Sequence, residues 1–105
     1  MSKWIFFDID GTLWDDKMQI PESTKEAIRR LKENGHKTFL CSGRARGNIR
    51  SGELLGMGFD GVIAACGNHV EMDGKILYEK ILEPKLVERV IRVLDECHMP
   101  VVLEG

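Results

Sequence analysis

Three short apolar runs, spaced so that helix-patterned segments fall between them, do most to restrict what this chain can fold into. Residues 3–8 (KWIFFD), 37–41 (KTFLC) and 61–65 (GVIAA) have the length and the β-branched and aromatic content of buried strands. Between the first two, residues 22–34 (ESTKEAIRRLKEN) read as a helix, with Ser23 or Thr24 as its cap. Ala27, Ile28 and Leu31 form its apolar stripe and Gly35 stops it. After the second run, SGRARGN is a loop leading into a helix near 46–56, which Gly47 and Gly52 weaken. Strands alternating with helices imply a parallel sheet with right-handed crossovers, so the fold class is α/β.

Past Gly67 the pattern changes. HVEM and KILYEK flank Asp73-Gly74, a strong two-residue hairpin signal. Pro84 opens a helix over 85–98, with Leu86, Val87, Val90, Ile91, Leu94 and Cys97 on one face. The apolar PVVLEG that follows reads as the beginning of a strand.

With 105 residues the chain is one domain at most, with a modest core. Its 15 basic and 17 acidic residues are interspersed, for a net charge of −2, and no basic stripe points to nucleic acid. No apolar run reaches membrane-spanning length, and Asp8 interrupts the first one too early for a signal peptide. Cys41, Cys66 and Cys97 are far apart and odd in number, which fits a reducing, cytoplasmic setting. They read as small buried hydrophobes rather than as metal ligands or disulfides.

The stretch FFDIDGTLW places Asp8 and Asp10 two residues apart where the first strand ends. Side chains at that spacing share a face of a strand, so the two carboxylates converge. Unrelieved, such a pair repels and one member holds its proton. A divalent cation removes the conflict, and magnesium suits one or two carboxylates, retained waters and a phosphate oxygen. Ligands of open α/β sheets bind beyond the carboxyl ends of the strands, where Asp8 and also Ser42 fall. One carboxylate could then attack phosphorus while the other serves as general acid. Gly11 lets the backbone come close to a phosphoryl oxygen. A calcium loop fails on spacing, because Leu13 and Gln19 stand where glycine and glutamate are needed. An ordinary Asp-Gly turn is the plainer alternative, and what argues against it is the second strand ending in Cys41-Ser42-Gly43-Arg44.

Strand–DIDGTL, then IPESTKEAIRRLKENG, then strand–SGR resembles the haloacid dehalogenase superfamily of phosphatases, and within it the Cof-type branch with a cap inserted after the second motif. The resemblance implies a partial Rossmann-like, three-stranded parallel sheet with flanking helices, a β-hairpin, and the beginning of an α/β cap. Residues 1–80 would be the N-terminal part of the core and residues 81–105 the start of the cap. It implies Asp8 as the nucleophile that forms an aspartyl-phosphate and as a Mg2+ ligand. Asp10 would be general acid, then base, and would ligate Mg2+ through its backbone oxygen. Gly11 and Thr12 would shape the phosphate loop, Ser42 would hold a phosphoryl oxygen, and Gly43 would add a backbone N–H. Arg44 would touch substrate phosphate, the alternative being a solvated or ion-paired arginine; for Ser42 the alternative is a turn or capping serine. Asn68 contacts substrate or, more simply, serves a turn. The implied substrate is a small phosphorylated metabolite of sugar-phosphate type.

The family's downstream lysine and acidic pair have no counterpart here. Lys75, Lys80 and Lys85 fall in the hairpin and the helix start, and Asp15-Asp16 reads as an exposed loop. The chain is therefore expected to be an incomplete and weakly active or inactive piece of such an enzyme. The alternative is a non-catalytic module that binds phosphate or magnesium or assembles with itself, since unpaired strand edges invite a homodimer. A receiver-like phosphoacceptor domain lacks the paired DxDGT and SGR pattern.

Overall fold

The computed structural model describes residues 1–104. Its strands are β1 (Trp4–Phe7), β2 (Lys37–Cys41), β3 (Gly61–Ala64), β4 (His69–Met72) and β5 (Lys75–Glu79), and its helices are α1 (Glu22–Glu33), α2 (Gly52–Leu55) and α3 (Pro84–Glu96). All five strands form one sheet in the order β1-β2-β3-β4-β5. β1, β2 and β3 run parallel, as the alternation predicts, and the hairpin extends the same sheet with antiparallel partners. Asp73 and Gly74 both have positive φ, the backbone that a tight two-residue hairpin turn requires.

The core lies on one side of the parallel strands. Ile9, Leu13, Trp14 and Ile20 from the segment after β1 pack with Ile28 of α1, Leu40 of β2, Ile49, Leu54 of α2, and Val62 and Ala64 of β3. α1 ends where Gly35 was expected to stop it: Gly35 N–H donates to the Lys32 carbonyl and His36 N–H to that of Leu31. Its start differs from expectation. Neither Ser23 nor Thr24 caps it; Pro21 occupies the cap position, and its carbonyl accepts the Thr24 and Lys25 N–H groups.

Four further expectations are corrected. The helix near 46–56 is a one-turn 3₁₀ segment at Arg46–Asn48 and then α2, capped by the Ser51 side chain. β1 is not a buried strand, because it is the sheet edge and one of its faces is uncovered: Trp4 and Phe6 are 58% and 51% exposed and stack against the ring of Phe39 on that face. The cysteines are free and exposed rather than buried, because Cys41 ends β2, Cys66 lies in a loop and Cys97 caps α3. α3 fully buries none of its residues, and 101–104 form no strand, because they lie along neither open edge of the sheet. Gly105, which closes PVVLEG and the expected cap segment, lies outside the described residues. The radius of gyration of 16.6 Å exceeds the ~13 Å of a compact chain of this length, in keeping with a helix that projects from the sheet. No helix among the described residues is long and apolar enough to cross a membrane.

Candidate active site

The site forms where β1, β2 and β3 end. Phe7 pairs with Leu40 and Cys41 with Ile63, so Asp8 and Ser42 leave adjacent strands at the same end of the sheet. Past Asp8 the chain turns sharply inward. Ile9 is fully buried, and its carbonyl accepts the N–H groups of Thr12 (3.1 Å), Leu13 (3.0 Å) and Trp14 (3.4 Å). Gly11 takes the left-handed backbone this turn needs, with φ +78°, and nothing stands within 4 Å of where a Cβ would be. Thr12 is exposed beside it, and Leu13 and Trp14 turn back into the core.

The two aspartates occupy different environments. Asp8 is exposed, with no side-chain ion pair among the described residues. Asp10 receives a two-pronged contact from Arg44, Nη2 to Oδ1 at 2.7 Å and Nε to Oδ2 at 2.8 Å. The Trp14 indole N–H adds a bond to Oδ1 at 3.0 Å, and the Arg44 guanidinium lies 5.5 Å from the centre of the Trp14 ring. Arg44 first, and Trp14 second, lower the Asp10 carboxyl from 3.8 to about 2, and Asp10 in turn raises Arg44. Asp10 is therefore ionised at neutral pH, with its charge balanced by the arginine rather than by a cation.

Ser42 is buried. Its N–H donates to the Ile63 carbonyl, and its Oγ accepts the Arg44 N–H at 3.0 Å. Its hydroxyl proton is left over for a further acceptor. Gly43 passes close to the end of β3: a Cβ there would stand 3.3 Å from the Cys66 Sγ. Cys66 N–H donates to the Ser42 carbonyl and Ala65 N–H to that of Arg44, which ties this loop to the end of β3. Asn68 serves the turn, donating through both its N–H and its side chain to the Ala65 carbonyl.

The geometry thus brings together Asp8, Asp10, Gly11, Thr12, Ser42, Gly43 and Arg44, all at one end of the parallel strands. Trp14, the Ile9 carbonyl and the Asn48 carbonyl, which holds Arg44 Nη1 at 3.3 Å, are contributions that sequence reading missed. The only signal for Trp14 was a bulky aromatic just past the Asp-Gly turn. Asp15-Asp16 form an exposed loop as expected, with Asp15 Oδ1 accepting the Lys17 and Gln19 N–H groups.

No group of three His, Cys, Asp or Glu residues among the described residues could hold a metal. The oxygens at hand are the free Asp8 carboxylate and the Asp10 backbone carbonyl. This sparse, all-oxygen donor set fits magnesium, which keeps several waters, better than zinc, which takes three or four protein ligands.

The profile of haloacid dehalogenase-like hydrolases matches residues 5–105. The chain belongs to this family. A Bacillus subtilis (strain 168) protein named "Putative phosphatase YkrA" is 36% identical over 101 residues, covering 96% of this chain and 39% of the relative. A solved structure of a protein from Geobacillus kaustophilus HTA426 superposes with TM-score 0.80 at 33% identity, over 93% of this chain and 38% of that one. The sugar phosphatase BT4131, of HAD subclass IIB, superposes with TM-score 0.79 at 28% identity, over 90% of this chain and 38% of its own. The chain thus spans about two fifths of the length of YkrA and of these structures.

Proposed function

We propose that residues 1–105 carry the nucleophile and phosphate-loop half of a magnesium-dependent phosphatase for a small, sugar-phosphate-like metabolite. The observation that carries this reading is the free Asp8 carboxylate at the end of β1, beside the Ser42–Arg44 loop that ends β2. In this reading an Asp8 oxygen attacks phosphorus and the bond to the leaving oxygen breaks. Water then attacks the aspartyl-phosphate, releasing inorganic phosphate and restoring the carboxylate. Ser42 and the Gly43 N–H bind phosphoryl oxygens, and Gly11 and Thr12 shape the loop that faces them. Magnesium, held by Asp8 and the Asp10 carbonyl, would neutralise phosphate charge.

Asp10 as general acid must carry a proton, and the bound Arg44 opposes that. Phosphate attracts a guanidinium fork strongly. We infer that the substrate phosphate draws Arg44 off Asp10, which lets the Asp10 carboxyl rise and protonate the leaving oxygen. Arg44 then has both roles open to it in sequence: ion-paired at rest and on phosphate when substrate is bound.

Residues 81–105, with the unburied α3, fit the start of a cap, and the free thiols suit a cytoplasmic setting. The lysine and acidic pair of the family have no counterpart in these residues, so the isolated chain is expected to turn over phosphate esters poorly or not at all. A second reading, a self-assembling module, is favoured by one observation, the exposed β1 edge with Trp4 and Phe6. Two measurements separate them. A phosphate-ester assay with magnesium is run on the chain alone and on a chimera in which residues 1–105 replace the matching segment of YkrA. The solution mass is measured alongside. Turnover by the chimera supports the phosphatase half. An inactive chimera with the fold intact, together with a stable dimer of the chain, supports the module.

A further inference from the structure

A second polar cluster lies next to the site and has no role in the chemistry above. Arg46 Nε donates to Glu71 Oε1 on β4. The same oxygen lies 3.2 Å from His69 Nε2, and His69 Nδ1 lies 3.6 Å from Glu79 Oε1 on β5. His69 and Glu71 share a face of β4, being two residues apart, and His69 is directly paired across the hairpin with Glu79. His69 is buried, and the Glu71 side chain is only 20% exposed.

The cluster touches the segment that aims Arg44. Arg46 grips two things at once, the Glu71 carboxylate and, through Nη1, the Ile49 carbonyl at 3.2 Å. It thereby clamps the turn over residues 46–49 against β4. That turn presents the Asn48 carbonyl that holds Arg44 Nη1. Hydrogen bonds run from Glu71 through Arg46 to the Ile49 carbonyl and, one residue back along the same backbone, from the Asn48 carbonyl through Arg44 to Asp10, which also holds Trp14. Arginine's planar fork reaches the carboxylate through Nε and the carbonyl through Nη1, and a lysine, a single point charge, lacks that spread.

We propose that Glu71, braced by His69, is a positioning residue: through Arg46 it fixes the turn that aims the Arg44 guanidinium at Asp10 and, when present, at a bound phosphate. The phosphate half of this statement rests on the function proposed above, and the Arg44 half does not. Groups that orient the ligands of metal sites carry about 10–100-fold of the affinity, and small misplacements of a positioning group in other sites cost as much.

The test uses the 105-residue chain and inorganic phosphate. Nitrogen-15 spectra report the Arg44 Nε–H and the Trp14 indole N–H, each bonded to Asp10. In Glu71→Gln both resonances are expected to shift or broaden, while those of α1 stay in place. Glu26→Gln, which alters an exposed pair on α1, is expected to leave both unchanged. Arg46→Lys, which keeps the charge, is the second variant should Glu71→Gln fold poorly, and it is expected to give the same displacement. Exchanging the pair, Arg46→Glu with Glu71→Arg, is expected to restore the signals in part. In a phosphate titration Glu71→Gln is expected to weaken binding about tenfold. Unmoved Arg44 and Trp14 resonances in both Glu71→Gln and Arg46→Lys would overturn the proposal. A wild-type chain that ignores phosphate, while its Arg44 signal still responds to Glu71→Gln, would count against the phosphatase reading and for the positioning role.

Discussion

Residues 8–49 and residues 81–104 both carry clear apolar periodicity, yet they reach opposite ends. In the first region Ile9, Leu13, Trp14, Ala45 and Ile49 are buried, and polar groups between them are bonded to one another. In the second, α3 has a well-formed apolar face and fully buries none of its residues, with Val87, Ile91 and Leu94 only half-buried. Leu86, Val90 and Val93 are exposed, as are Val102 and Leu103 beyond the helix. The helix forms because its residues favour one and Pro84 starts it. Periodicity therefore specifies a helix and its sticky side, but not a surface to receive it. The strand-end region differs because neighbouring strands already stand beside it.

This contrast can be broken at several points. The largest expected effect is on chemistry. In the YkrA chimera Asp8→Asn should lower turnover about a thousandfold or more, because it removes the attacking oxygen. Activity within tenfold of the parent would move the nucleophile elsewhere. Next comes packing. Leu40→Ala, at 0% exposure in β2, should cost about 3 kcal/mol. Leu86→Ala, 45% exposed on α3, should stay within about 0.5 kcal/mol. Urea melts of the two variants measure this difference directly, and equal losses would mean that α3 is packed in solution.

Gly11→Ala should cost about 1 kcal/mol from its left-handed backbone alone, since a methyl there meets nothing. A neutral result would show that the turn after Asp10 relaxes freely. The smallest effect concerns pH. The Asp10 carboxyl is held below its unfolded value, so its contribution to stability is present above about 3.8 and is lost as pH falls toward about 2. Asp10 is half-exposed, so the size is under about 1 kcal/mol. Arg44→Ala should flatten that part of the stability–pH curve, and an unchanged curve would mean that the pair is open in solution.

Much of the site was legible because strand ends and turn residues are local signals. Asp8, Gly11 and Ser42 could be placed from their distance past an apolar run. The cysteines are exposed against expectation because a thiol's burial depends on what packs over the end of β2, the turn after β3 and the end of α3, and that is not a local property. β1 shows the same limit: its composition suits a central strand, while its position in the sheet makes it an edge.

By itself, then, the sequence determined the parallel β1–β3 unit, the hairpin at Asp73-Gly74, the helix limits near Gly35 and Pro84, and the gathering of Asp8, Asp10 and Ser42 at one end of the sheet. These follow from periods of two and 3.6 residues and from backbone restrictions that act within a few positions. Only the tertiary structure decided that Asp10 is bonded to Arg44 and Trp14 while Asp8 is left free, that Glu71 and His69 stand behind the Arg46 turn, and that α3 stays unburied. Those outcomes depend on pairings between residues such as Asp10 and Arg44, which lie 34 positions apart. Distant side chains meet only once the strands have chosen their order and register.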